Sequence, residues 1–299
     1  MNGSTYNQLR VFHTIAQEGS ITGAARILGI AAPSVSQSLK LLEQSLDLPL
    51  FTRTTRKIEL TEAGELLYQR TLKSINELNF AFESVGDLRH IPRGKVRITL
   101  PRFVYQQILA PVYREFCQTY PEIDLEISIN DGTVDIIEDG FDLGIRFGHR
   151  VGDEMVAKLL IPPKKDAFFA SPAYIANYGM PKSIEEFSQH KYIYYRFISS
   201  NQLLPLTVLR NGQEVIIDAP CALVANDTDV IKDAALQGLG IGRLLETIVA
   251  DELARGDLVP VLPELWNEMS GLYIFFHQNT QKAKRVRVLI DFLLKKATI

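Results

Sequence analysis

Apolar positions in the first ninety residues recur at helical spacing, interrupted by residues that stop or turn a chain. Leu9, Phe12, Ile15 and Ala16 give residues 6–18 one apolar helical face. Residues 21–28 predict a second helix, with small Ala24 and Ala25 where another helix must approach closely. Gly29 supplies a positive-φ stop, and Pro33 sits where a third helix begins. In that helix Val35, Leu39 and Leu42 fall at i, i+4 and i+7, while Ser34, Ser36, Gln37 and Lys40 lie around the other side. Two short helices with a polar, partly cationic outer face form the pattern that a helix-turn-helix lays in a DNA major groove. An ordinary helical hairpin with a solvated face has the same pattern.

The segment after this hairpin separates the two readings. Leu50-Phe51 and Ile58/Leu60 flank a polar, basic tip of Arg53, Thr54, Thr55, Arg56 and Lys57. That is the pattern of a β-hairpin wing whose cations meet phosphates. Thr61 then caps a long helical stretch to about residue 89, in which Ile75, Leu78, Phe82 and Val85 make an a/d seam. On a small N-terminal domain such a helix has little else to pack on, so the seam is expected to dimerise. Residues 90–94, His-Ile-Pro-Arg-Gly, read as a hinge.

From Lys95 the texture changes to alternating strands and helices. Strands are expected at 96–100, 124–130 and 141–147, with a helix at 105–119 and a short one at 134–139. That order predicts a doubly wound α/β subdomain with a parallel sheet. A strand at 156–161 leads through Pro162-Pro163 into 167–170, and a second α/β set follows with a helix at 184–188, strands at 192–195, 215–218 and 222–225, a helix at 229–237 and a strand at 258–261. A strand at 272–277 and an amphipathic helix at 284–295 close the chain.

Composition changes this picture little. The 299 residues carry 32 basic and 35 acidic side chains, a net charge of −3, which argues against a protein that coats nucleic acid over its whole surface. Residues 1–60 hold six basic and four acidic residues, a balance that permits an N-terminal nucleic-acid module. Two cysteines, Cys117 and Cys221, have no metal-ligand spacing, and the five histidines are scattered, so no metal and no cofactor is expected. Neither a signal peptide nor an apolar run of membrane-spanning length is visible, and a cytoplasmic location is expected.

The motifs together resemble the LysR-type transcriptional regulators. Ala24-Ala25, Leu28, Pro33-Ser34-Val35-Ser36 and Leu42-Glu43 match the family's helix-turn-helix pattern. Leu50-Phe51-Thr52-Arg53 and Leu60-Thr61-Glu62-Ala63-Gly64 match the family's next two strings. Farther along, residues 142–146 (DLGIR), 170–175 (ASPAYI) and 238–242 (GLGIG) look like family landmarks. The resemblance implies an N-terminal all-α winged helix-turn-helix over 1–60 and a linker helix and hinge over 61–92. It implies a two-lobed α/β domain over 93–299, like the periplasmic binding proteins. Lobe I would be about 93–163 and 268–299, and lobe II about 164–267. The implied partners are double-stranded DNA, further copies of the chain as a dimer or tetramer, a small-molecule effector and, as a candidate, RNA polymerase; no membrane is implied. Where the family commonly has Ser-Gln before the recognition-helix proline, this chain has Ala31-Ala32. DNA contacts are therefore expected from Ala32, Pro33, Ser34, Ser36, Gln37 and Lys40, with Arg53, Thr55, Arg56 and Lys57 of the wing.

In a two-lobed α/β domain a ligand binds between the lobes, outside the carboxyl ends of strands and near helix starts. The residues expected there are Arg102, Phe103, Asn130, Arg146, Phe147, Tyr195, Phe197, Asn226 and Thr228. Arg102 and Arg146 could together hold a carboxylate or another anion, which would make the effector anionic, and the alternative for each is a surface ion pair. The acidic residues Asp131, Asp135, Glu138 and Asp139 read as a solvated face. Gly238 to Gly242 follows a helix and lacks the final spacing of a nucleotide loop, so it reads as a helix stop and tight turn. The competing class is an enzyme or exported solute binder with an unrelated helical N-terminus. The wing cations and the absence of an export signal favour a regulator that is not an enzyme.

Overall fold

The computed structural model describes residues 3–53, 58–86, 91–137, 139–148, 155–210, 213–278, 280 and 283–297. The chain divides into two compact units, residues 1–88 and 89–299.

In the first unit, helices α1 (Gly3–Glu18), α2 (Ile21–Leu28) and α3 (Ala32–Leu46) pack around Phe12, Ile15, Ala24, Val35 and Leu39, each almost fully buried. Ala24 and Ala25 leave room for the close crossing of α2 with its neighbours. Ser20 caps α2 by accepting from the Gly23 amide at 3.0 Å, and Gly29 ends it at φ 65°. Strands β1 (Phe51–Arg53) and β2 (Ile58–Leu60) pair antiparallel in the register Phe51 to Leu60. Glu43 ties α3 to this hairpin by accepting the Leu50 amide at 2.8 Å.

Helix α4 (Glu62–Gly86) starts on Thr61, whose hydroxyl accepts from the Gly64 amide at 3.0 Å and donates to the Pro49 carbonyl at 2.7 Å. A side chain at Gly64 would overlap the Leu50 carbonyl oxygen, so the Leu-Thr-x-Ala-Gly string joins cap and hairpin by close backbone approach. Tyr68, Leu72 and Ile75 of α4 are buried within the single chain. Ile75 thus belongs to an intramolecular core, contrary to the expectation that it lies on the dimer seam. The i, i+3, i+4 pattern marks an apolar stripe but not what covers it. Leu78 is 45% exposed. The side chains of Phe82 and Val85 lie outside the described part.

The second unit has two lobes. In lobe I, β3 (Gly94–Leu100) lies between β4 (Ile123–Ile129) and β5 (Leu143–Phe147), parallel to both. The sheet is completed by β6 (Met155–Ile161) and β15 (Leu272–His277), in the order β4-β3-β5-β15-β6. Because β15 returns from the far end of the chain antiparallel to β5 and β6, the sheet is mixed, not parallel as expected. The helix expected at 105–119 is interrupted. It runs as α5 (Arg102–Val104), one π turn (Tyr105–Leu109) and α6 (Tyr113–Thr119), with Pro111, which has no amide proton, at the break. The short helix expected at 134–139 is a pair of turns, with Glu138 outside the described residues. Asp135 Oδ1 takes the Ile137 amide at 2.9 Å, a local bond that competes with helix.

Lobe II is built on β7 (Lys164–Ala170). The helix α7 (Pro172–Tyr178), a 3₁₀ segment (Ile184–Gln189) and β8 (Tyr192–Tyr195) come next. Then follow β9 (Thr207–Arg210), β10 (Gln213–Ile216), β11 (Cys221–Ala225) and α8 (Thr228–Leu236). The lobe is completed by β12 (Gly242–Leu245), α9 (Ala250–Arg255), β13 (Val259–Val261) and β14 (Asn267–Met269). Strands β12, β13 and β14 all pair antiparallel with β7, and β8 pairs parallel with β11. The Gly238 to Gly242 string ends α8 at φ 77° as expected but then opens β12, a strand that no period-2 pattern announced. The chain crosses between lobes at Pro162-Pro163 and again after Met269, since β14 belongs to the β7 sheet. Helix α10 (Lys284–Ala297) packs Val286, Leu289, Ile290 and Leu293 into the lobe I core.

Candidate DNA-reading face and inter-lobe cavity

Burial of Val35, Leu39 and Leu42 turns the opposite side of α3 outward. Pro33, Ser34, Gln37 and Lys40 are exposed there, and Ala32 and Ser36 are partly so. Ala31 occupies the N-cap in extended conformation (φ −68°, ψ 142°) with no side-chain cap bond, so the first turn is held only by backbone bonds from Ser34 and Val35. Arg53 closes β1 opposite Ile58. Thr55, Arg56 and Lys57 lie outside the described residues.

In the second unit a cavity of about 180 Å³ opens between the lobes. Lobe I contributes Pro101, Phe103, Asp131, Arg146 and Phe147; lobe II contributes Asp166, Tyr195, Phe197, Thr228, Arg243 and an apolar floor of Leu204, Leu244, Leu245, Ile248 and Met269. Six of the nine residues expected at an effector site therefore meet in its wall: Phe103, Arg146, Phe147, Tyr195, Phe197 and Thr228. The other three sit beside it. Arg102 pairs with Asp227 across the lobes at 3.2 Å and is half exposed, so its guanidinium is committed at the rim. Asn130 offers its carbonyl to Arg146 at 3.0 Å and turns its side chain to the Gly132 amide at 2.8 Å. Asn226 is exposed outside the lining.

Arg146 is buried. Its guanidinium donates to the Ile145 carbonyl at 2.8 Å, the Thr99 hydroxyl at 3.2 Å and the Asn130 carbonyl. Arg243 donates from Nε to Asp166 at 2.7 Å, with both residues under 10% exposed, and reaches the Pro205 carbonyl at 3.2 Å. Burial pushes the Asp166 carboxyl above its ordinary range more strongly than Arg243 draws it down. Burial likewise raises Asp131, assisted by the neighbouring Asp227 carboxylate and opposed by the Arg102 amide and the charges of Arg102 and Arg146. Asp131, expected to face solvent, accepts the Arg102 amide at 3.2 Å in the cavity wall. Asp166 and Arg243 gave no sequence signal as a pair, being 77 residues apart and joined only by β7 pairing with β12. Three further polar contacts cross the rim: Gln106 to Asp229 at 3.0 Å, Gln107 to the Thr247 carbonyl at 2.7 Å and the Thr133 amide to Ser199 at 2.6 Å. Among the described residues no cluster of His, Cys, Asp or Glu could hold a metal ion, and no helix is long and apolar enough to cross a membrane.

Comparisons with known proteins match this geometry from both ends of the chain. Residues 6–65 match the bacterial regulatory helix-turn-helix protein, lysR family, and residues 89–298 match the LysR substrate binding domain. A relative from Pseudomonas aeruginosa is 33% identical over 287 residues, covering 96% of this chain and 94% of that protein. The HTH-type transcriptional regulator PgrR of Escherichia coli is 30% identical, with 97% of each chain covered. Among solved structures, CrgA, a LysR-type transcriptional regulator from Neisseria meningitidis, superposes with a TM-score of 0.63 at 27% identity over 98% of this chain and 99% of that one. The helix-turn-helix and the two-lobed domain thus occur here in the order and at the lengths of those relatives, and the chain belongs to the LysR-type transcriptional regulators.

Proposed function

We propose that this regulator binds an interrupted palindrome as a dimer or as a tetramer of two such dimers, and that a small molecule between the lobes of its C-terminal domain alters that binding. The observation that carries the reading is the outer face of α3. Ser34, Gln37 and Lys40 project together from a helix whose other side is buried, as a helix that enters a major groove requires. One such helix buries too little surface for useful specificity, so two copies must act together, and the exposed part of α4 is the candidate seam. The effector acts through the lobes. Their rim contacts, Arg102–Asp227 and Gln106–Asp229, are exposed polar pairs of small individual worth. A ligand with different affinity for two lobe arrangements shifts their populations by that difference and no more.

The test is salt-dependent DNA binding. Removing one cation from a phosphate lowers the slope of log K against log salt by about 0.9. Lys40→Ala and Arg56→Ala are each expected to weaken binding across all sequences and to reduce the slope by roughly that amount. Unchanged slopes would remove these side chains from the interface. Equal affinity of the wild-type chain for every DNA sequence would overturn site-specific regulation itself.

A further inference from the structure

The lining of the inter-lobe cavity narrows what the effector is, granted the proposal that an effector sits there. We infer that it is a flat, uncharged molecule built on one aromatic ring and carrying a hydrogen-bond donor, rather than the carboxylate that two arginines would suggest.

Size is the first constraint. The cavity measures about 180 Å³, and an apolar protein cavity of about 150 Å³ holds benzene. One ring with a small substituent fills it. Wall chemistry is the second. Lobe I presents Phe103 and Phe147 stacked at 5.8 Å with ring planes 25° apart. Lobe II presents Tyr195 and Phe197 edge to face at 5.6 Å and 75°. Two aromatic pairs, one on each lobe, offer both faces and edges to a flat ring. Such a ligand touches both lobes at once, which is what biasing their arrangement requires.

Charge is the third constraint. The lining holds two guanidiniums and two carboxylates, so its formal charge cancels. Arg243 is already matched by Asp166 at 2.7 Å. Arg146 already serves the Thr99 hydroxyl and two backbone carbonyls, and its charge is felt at Asp131. A carboxylate entering this space would give up its water and meet Asp131 and Asp166 as like charges, while Arg243 is held by Asp166 and the Arg146 guanidinium already donates to three neutral acceptors. A carboxamide or phenol gives up less, and its donor meets the Asp131 carboxylate or the Thr228 hydroxyl.

Isothermal titration of the full-length chain with matched probes tests this. Benzamide should bind saturably, benzoate at least tenfold more weakly and succinate not at all. Asp131→Asn keeps an acceptor for the Arg102 amide but removes the charge. It should raise benzoate affinity and narrow the gap to within threefold. Ile248→Trp, filling the floor, should abolish benzamide uptake; Leu204→Trp replaces it if Ile248→Trp lowers the melting temperature. Benzoate binding as tightly as benzamide, with both abolished by filling the floor, would overturn the uncharged class while leaving the cavity as the effector site. Probe binding that survives the filled floor would overturn the cavity as the site. Failure of benzamide to bind the wild-type chain at its solubility limit would overturn the inference.

Discussion

The imidazole of His13 packs against the rings of Phe12 and Tyr68, with centroids 5.4 and 4.7 Å away. Its Nε2 meets the Thr71 hydroxyl at 2.7 Å, and because that hydroxyl already donates to the Leu67 carbonyl at 2.6 Å, Nε2 must be the protonated nitrogen. Nδ1 is buried without a partner among the described residues, so a second proton would go where nothing accepts it. Burial accordingly holds the group at about 4 against an ordinary 6.5. Above pH 6.5 both folded and unfolded chains carry neutral His13, and stability is unaffected. As pH falls from 6.5 towards 4 only the unfolded chain takes the proton. The native state is then weakened by up to ~3 kcal/mol. Between pH 7.5 and pH 5 the urea midpoint should fall by the equivalent of about 2 kcal/mol in the wild type and clearly less in His13→Leu. An equal acid loss in both would assign it to other groups. At this scale the sequence was readable where a residue's role depends on its own neighbours. Gly29 as a stop and Thr61 as a cap are of that kind. It was silent on Arg243, whose partner Asp166 comes from a distant strand.

Helix α3 is an element with an open cap. Ala31 already has the extended backbone of an N-cap but brings no side-chain oxygen to the amides of the first turn. Ala31→Ser should therefore stabilise the N-terminal unit by ~1 kcal/mol. That rise in urea midpoint should come without a change in fold, and an unchanged midpoint would mean those amides are already satisfied by water. The elements with a complete local pattern, α1 to α4 and the terminal helix α10, were legible from periodicity because one apolar face repeats along each. The misread elements have two causes, a pairing set by a distant strand and a local side-chain bond. β12 exists because it pairs with β7, and Gly242 lies against the Phe169 ring, which would meet any side chain there. The turns at 134–139 follow from side-chain bonds of Asp135 that a helical period conceals.

Assembly is where the whole chain comes into play. Ile75 is consumed by the chain's own core, but Leu78 one turn on is 45% exposed and Leu66 is 58% exposed. If α4 pairs two copies through the face that carries Leu78, Leu78→Asp should shift the sedimentation profile towards monomer and weaken binding to a two-half-site operator more than to a single half-site. A dimer that sediments unchanged would move the seam away from Leu78. By itself the sequence determined the class of protein, the order of its modules and the helical faces. These depend on short-range periodicity, caps and turn residues, which are written in consecutive positions. The tertiary structure alone decided the polarity of the lobe I sheet, the burial of Ile75 and the charge balance of the cavity. Each depends on which distant segments meet, as when β15 returns into lobe I and Arg243 is brought onto Asp166. Two arginines read alone suggest an anion site. Once folded, Arg102 is committed to Asp227 at the rim, and the carboxylates of Asp131 and Asp166 line the cavity with Arg146 and Arg243.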